Sequence, residues 1–256
     1  SGAAVSPIGC YDLTAENGTV RVTGKRSASR EPVSKLAVET PVVIIGAGGT
    51  GYALAKDLVA AGCGADVILL SADSDAPYDR TTMSKEFLSG EMEADDCRLP
   101  ALDGDLEYRG SSEVTAIDRE KRALTLSGGE SLSYGTLVIA TGAEPLRPDF
   151  EGADHEAVHR LRSLSDARAI KKAAADAGNI AIVGASFIGL EVAASLKKDG
   201  RNIQIIDRHD IPLASVLGER IGTWVKSLHE DEGAEFITGT EVARFDGNKL
   251  HLTNGS

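Results

Sequence analysis

The sequence predicts an α/β fold of two Rossmann-like units in tandem, each a three-layer arrangement of βαβ elements with a small antiparallel meander, the second incomplete at its C-terminal end. Two observations predict it. The first is a pair of glycine-rich strand-turn-helix fingerprints, Val42-Val43-Ile44-Ile45-Gly46-Ala47-Gly48-Gly49-Thr50-Gly51 and Ile180-Ala181-Ile182-Val183-Gly184-Ala185-Ser186-Phe187-Ile188-Gly189. Each starts as a β-branched apolar run and opens a helix, the context in which such a turn binds a dinucleotide. The second is a repeat downstream of the two fingerprints: residues 106–114 lead into 122–129, and residues 234–242 lead into 248–255, both with the pattern of a third parallel strand and a glycine-turned meander.

Taken in order, residues 18–22 (Gly-Thr-Val-Arg-Val) read as a short strand, and 24–40, with Arg26, Arg30, Pro32 and Lys35, as a polar linker. In the first fingerprint Gly46 permits the tight turn, Gly48 and Gly49 keep the backbone bare for a pyrophosphate, and Gly51 lets the helix lie close to the strand. Thr50 stands within that turn, and the helix expected at 52–61 aims its amide groups and dipole at the phosphates. An acid after the next strand can take a ribose diol. Residues 66–70 run into Ser71-Ala72-Asp73, which makes Asp73 the candidate, although Asp73 and Asp75 could equally solubilise a turn. Residues 136–140 form an apolar strand ending on Ala140-Thr141-Gly142. In the second unit Ser186 replaces the middle glycine, residues 202–206 form a buried strand, and Asp207 follows it. A carboxylate there repels a 2'-phosphate and favours NADH over NADPH, while neighbouring Arg208 leaves NADPH open. The sequence stops at Ser256, in register with Glu130 of the first unit, so the strand matching 136–140 has no counterpart; the expectation is a chain truncated at both ends.

With 42% hydrophobic and 26% charged residues the composition is that of a globular chain, and a net charge of −12 argues against nucleic acid, which needs a basic stripe. No apolar run approaches the roughly 20 residues of a membrane span, and the expected location is the cytoplasm. Cys10, Cys63 and Cys97 form no C-x-x-C pair. His155 and His159 lack a third ligand type nearby in sequence and are expected to be solvated, with no metal site.

Over about residues 41–256 the chain resembles the two-dinucleotide-binding-domain flavoproteins, in the ferredoxin reductase branch that includes putidaredoxin reductase and apoptosis-inducing-factor-like proteins. Four motifs carry the resemblance: the fingerprint at Gly46 to Gly51; Pro77-Tyr78-Asp79-Arg80-Thr81-Thr82-Met83-Ser84-Lys85, similar to a PYxRPPLSK stretch; Ala140-Thr141-Gly142; and Gly184-Ala185-Ser186-Phe187-Ile188-Gly189-Leu190-Glu191, similar to GxxxIGxE. Thr81 and Thr82 depart from the family's prolines, and its second FAD signature, a Gly-Asp pair after the NAD domain, is not found in these residues. The resemblance implies an FAD-binding domain over 41–152 and an NAD-binding domain over 153–256, preceded at 1–40 by a tail similar to the closing strands of a Rieske module.

The resemblance further implies an NADH-dependent FAD oxidoreductase that passes electrons to an iron-sulfur partner, either a ferredoxin or a Rieske module. In the family the lysine and glutamate matching Lys85 and Glu191 form an ion pair beside the isoalloxazine; a cation there stabilises negative charge on the reduced flavin. From the residues alone Lys85 reads equally as a surface lysine and Glu191 as a first-turn acid. Arg80 and Ser84 are expected on the FAD phosphates or ribityl chain, Val114 at the adenine edge, and Thr141 and Gly142 where a larger side chain would clash with the cofactor. Two other functions fit the same fold: reduction of a small molecule, of the monodehydroascorbate or NADH-oxidase type, and a non-catalytic NADH-responsive module. A disulfide reductase would need a cysteine within 78–85, and none is there.

Overall fold

A computed structural model describes residues 10–16, 18–26, 38–102, 104–197 and 200–256. β1 (Cys10–Glu16) and β2 (Thr19–Arg26) form an antiparallel hairpin in which Leu13 faces Val22 and Ala15 faces Val20. The strand expected at 18–22 therefore runs on to Arg26, because Gly24 and Lys25 still find partners in Asp12 and Tyr11. Arg30, Pro32 and Lys35 of the expected linker lie outside the described residues.

The chain divides into two compact units, the first of which includes the hairpin. One holds the described residues up to Asp79 together with Arg98–Gly142, the other Arg80–Cys97 and Ala143–Ser256. The first is built from β3 (Val42–Ile45), α1 (Gly49–Ala60), β4 (Val67–Leu70), β5 (Glu107–Arg109), a meander of β6 (Val114–Asp118), β7 (Ala123–Leu126) and β8 (Ser131–Ser133), and β9 (Thr136–Ile139). Its parallel sheet has the order β5-β4-β3-β9. Every side chain of β3 and β4 is buried, which requires cover on both faces of the sheet. The period of two sorts them. Val42, Ile44, Val67 and Leu69 pack on Ala55 and Leu58 of α1, whereas Val43, Ile45, Ile68 and Leu70 pack on Leu124 and Leu126 of the meander. Helix, sheet and meander are thus the three layers that the sequence predicts. Each fully buried aliphatic contributes about 1.5–3 kcal/mol. α1 starts at Gly49 rather than Tyr52, which puts Gly49, Thr50 and Gly51 inside its first turn.

The second unit repeats the plan with α2 (Leu164–Ala175), β10 (Asn179–Val183), α3 (Phe187–Leu196), β11 (Asn202–Asp207), α4 (Ala214–Leu217), α5 (Glu219–Asp231), β12 (Glu235–Thr238), and a two-stranded meander of β13 (Val242–Phe245) and β14 (Leu250–Leu252). The sheet is parallel in the order β10-β11-β12. Ile206 of its central strand packs on Val242 and Leu252 of the meander. α2 is started by a capping box: the Asp166 amide donates to Ser163 Oγ at 3.1 Å and the Ser163 amide to Asp166 Oδ2 at 2.8 Å. β3 lies between β4 and β9, whereas its counterpart β10 is an edge strand whose Val183 is 55% exposed. The segment from Arg80 also packs in this unit, as a short 3-10 turn, Arg80–Thr82, followed by a single π-type turn, Met83–Phe87.

Candidate functional site

The first glycine turn stands at the C-terminal end of β3. Gly46 has φ +103°, and a Cβ there would overlap the carbonyl of Ala140, the residue just past β9. Ala140 in turn donates its amide to the Ile45 carbonyl at 2.8 Å, so the Ala140-Thr141-Gly142 turn is held against the fingerprint. A Cβ on Gly51 would overlap the Gly46 carbonyl, which is the close approach of helix to strand expected of the third glycine. Gly48 is the N-cap of α1; no side chain caps the helix, and its first turn contains no acid. An uncapped, acid-free helix start behind a bare backbone suits a pyrophosphate, so the residues present fit the phosphate end of FAD.

Asp73 lies three residues past the end of β4, and its loop is ordered by its own side chains. The Tyr78 hydroxyl donates to Asp73 Oδ2 at 2.7 Å, the Asp75 amide to Asp73 Oδ1 at 3.1 Å, and the Asp73 amide to Ser71 Oγ at 3.1 Å. The carboxylate is an acceptor held in one orientation in the loop that follows β4. Nearby, burial pushes the Tyr108 phenol above its ordinary value; a hydrogen bond with Ser71 opposes the shift, and the carboxylates of Asp73 and Asp75 add to it. Val114 opens β6, and the adjoining Ser112 amide donates to the Ser71 carbonyl at 2.7 Å, which ties that strand to the same edge. The contacts of Ser71, Tyr78 and Tyr108 in this loop are not expected from the sequence. The Tyr78-to-Asp73 spacing of five residues was the available signal.

In the second unit Gly184 has φ +103° and donates its amide to the Ile206 carbonyl at 2.8 Å, while a Cβ on Gly189 would overlap the Gly184 carbonyl. Ser186 occupies the N-cap of α3, and its Oγ accepts the Gly189 amide at 3.3 Å. The serine therefore does what the absent glycine could not: it satisfies one of the amides at the helix start. Phe187 and Ile188 are half exposed beside it. Asp207 ends β11. Its Oδ2 accepts the Ala185 amide of the glycine turn at 2.6 Å, and its Oδ1 accepts the His209 amide at 2.7 Å and stands 3.0 Å from His209 Nδ1. Arg208 between them is exposed. A carboxylate bound to the turn itself, with spare lone pairs, is placed to take a ribose diol. His155 does more than meet solvent: its ring stands edge-on to Phe245, with centroids 5.1 Å apart.

Lys85 and Glu191 meet in the same unit. Lys85 Nζ is 3.8 Å from Glu191 Oε1, although the two are far apart in sequence and both side chains are partly exposed. Glu191 is the fifth residue of α3 and not a first-turn acid, so its position reflects this pairing rather than the helix dipole. The π-type turn presents two neighbours to one carboxylate, since Ser84 Oγ donates to Glu191 Oε2 at 2.5 Å. Arg80 donates from Nη1 to the Arg162 carbonyl at 2.7 Å, an anchor onto the segment leading into α2. Of the thiols, Cys63 and Cys97 are buried and unpaired, and Cys97 Sγ donates to the Glu93 carbonyl at 3.3 Å. No helix among the described residues is long and apolar enough to cross a membrane.

Residues 40–256 match the family model described as pyridine nucleotide-disulphide oxidoreductase. Over 217 residues the chain is 37% identical to the probable ferredoxin reductase CtmF of Castellaniella defragrans, covering 83% of this chain and 53% of that protein. It is 33% identical over 209 residues to the biphenyl dioxygenase system ferredoxin–NAD(+) reductase component of Paraburkholderia xenovorans, covering 80% and 51%. Among solved structures, the ferredoxin reductase for the CYP199A2 system from Rhodopseudomonas palustris superposes with a TM-score of 0.79 at 27% identity, over 84% of this chain and 56% of that one. The chain spans about half the length of the curated relatives it matches. With two glycine turns, an acid behind each, and this likeness to ferredoxin reductases, the chain belongs to the pyridine nucleotide-disulphide oxidoreductase family.

Proposed function

We propose that the protein is an FAD-containing oxidoreductase that takes electrons from NADH and delivers them to an iron-sulfur protein. The observation that carries the proposal is the Lys85–Glu191 pair, set in the unit that also holds the Gly184 turn and Asp207. Gly46, Gly48, Gly49, Thr50 and Gly51 are the residues to hold the FAD pyrophosphate, with Asp73 on the ribose, Val114 at the adenine edge, and Ala140, Thr141 and Gly142 closing the turn. Gly184, Ser186, Phe187, Ile188 and Gly189 are the residues to hold NADH, with Asp207 on its ribose. The chemistry that FAD supplies when bound is acceptance of a hydride and release of single electrons.

The chain's own residues then have electrostatic tasks. Lys85 keeps a positive charge where negative charge accumulates, and Glu191 holds that ammonium in one place. Asp207 accepts the ribose hydroxyls and repels a 2'-phosphate, which favours NADH over NADPH. The acceptor class follows the relatives, of which one is named a ferredoxin–NAD(+) reductase. A disulfide acceptor is disfavoured because Cys97 is buried with its thiol on a backbone carbonyl and no cysteine stands within residues 78–85. Location in the cytoplasm belongs to the same proposal, since that is where NADH is at hand. The test is titration of the NADH-reduced protein with an oxidised [2Fe–2S] ferredoxin. Rapid one-electron transfer is expected; reoxidation by quinones or oxygen alone would favour a small-molecule reductase.

A further inference from the structure

The Ser84 side chain has one proton to give, and the structure spends it on Glu191. Its Oγ lies 2.5 Å from Glu191 Oε2, the residue is 5% exposed, and the other carboxylate oxygen, Oε1, is the one that faces Lys85. One turn along the same face of α3, Ser195 donates from Oγ to the Ser84 carbonyl at 2.8 Å and is itself buried. The π-type turn is thus stitched to α3 twice, by a backbone carbonyl and by a hydroxyl. Consecutive residues of a helix point roughly 100° apart, yet Ser84 and Lys85 reach one carboxylate. The short serine does so from the buried side, and the long lysine from the half-exposed side.

We propose that Ser84 is a positioning residue for hydride transfer, its hydroxyl holding the Glu191 carboxylate in the orientation that presents Oε1 to Lys85. This rests on the electron-transfer function proposed for the protein. A phosphate offers only acceptors, so a serine whose proton is held by Glu191 has none to give to the FAD phosphates, and Ser84 acts on the cofactor through the ion pair instead. A neutral donor also leaves the carboxylate its full charge. A second cation in that position would divide the charge between two partners and loosen the hold on Lys85.

The experiment is anaerobic single-turnover reduction of the FAD-loaded protein by NADH in Ser84→Ala, Ser84→Thr, Glu191→Ala and the Ser84→Ala/Glu191→Ala double variant, with a crystal structure of Ser84→Ala. Loss of a hydrogen bond to a charged group is expected to slow reduction roughly 10-fold in Ser84→Ala. Threonine restores the rate by keeping the hydroxyl, and the double variant is no slower than Glu191→Ala. In the Ser84→Ala crystal the Glu191 carboxylate swings beyond about 4 Å from Lys85 Nζ, outside ion-pair distance. Wild-type reduction by Ser84→Ala while Glu191→Ala is slow, or an unmoved carboxylate, overturns the proposal. Wild-type reduction by Glu191→Ala would instead remove the ion pair's part in hydride transfer, on which the proposed function rests its case, and the crystal structure would still decide whether Ser84 positions the carboxylate.

Discussion

Replacing Asp207 by asparagine tests the nucleotide preference with little change of shape. The carboxylate ends β11 with its side chain 13% exposed, close enough to the glycine turn to accept the Ala185 amide at 2.6 Å. Two unit charges 4 Å apart interact by about 4 kcal/mol at an effective dielectric constant of 20. A 2'-phosphate at the rim of the site keeps part of its hydration, so about half of that, roughly 2 kcal/mol, is the expected discrimination against NADPH. Asp207→Asn keeps one oxygen for the Ala185 amide and removes the charge, beside the exposed Arg208. NADPH affinity should rise roughly 30-fold, with NADH affinity changed by less than about 5-fold. Titration of the oxidised protein with each nucleotide measures both. An unchanged NADPH affinity in Asp207→Asn would refute the electrostatic argument for NADH.

Two further substitutions probe the parts proposed to hold the cofactors. Gly189→Ala puts a methyl group into the Gly184 carbonyl and within 3.4 Å of Ile182 Cγ2. It should cost about 1–3 kcal/mol and lower the melting temperature by several degrees, roughly 2–4 °C per kcal/mol, with NADH binding lost and FAD retained. A variant that melts normally and binds NADH would show that the helix has room to move. Tyr78→Phe removes the donor to Asp73 Oδ2 from a residue only 4% exposed. Stability should fall by about 1–2 kcal/mol, and the FAD-to-protein ratio after dialysis should drop if Asp73 is the ribose ligand. An unchanged ratio would remove that role from Asp73.

The parts legible in the sequence are those where local chemistry leaves little choice. Gly46 and Gly184 both adopt φ +103°, and Gly51 and Gly189 both touch a carbonyl of the preceding turn, so the spacing of the glycines marks the turns directly. β3 and β4 are apolar at every position because both faces of the sheet are covered, and that too is written in the residues. Contacts between distant segments are harder to read. Ser84 is one more polar residue in a motif until α3 brings Glu191 to it across 107 positions. The capping role of Ser186 needs the α3 amides in place before it can be seen. α1 starts three residues before Tyr52, although glycines are poor helix formers, because packing overrides propensity there. The extension of β2 to Arg26 likewise follows from pairing with β1, not from its own polar residues.

Reduction by NADH of a flavin held by this protein, with the help of Lys85, is central to the proposed function. Anaerobic stopped-flow mixing of the FAD-loaded protein with NADH, followed by loss of the oxidised-flavin absorbance, measures it most directly. Reduction should be complete within a second, and at least roughly 10-fold slower in Lys85→Ala. The two side chains are partly exposed, so Lys85→Ala should change stability by less than about 1 kcal/mol. Reduction over minutes with a persistent charge-transfer band would contradict this function and support an NADH-responsive module instead, and equal rates with and without Lys85 would remove Lys85 from it.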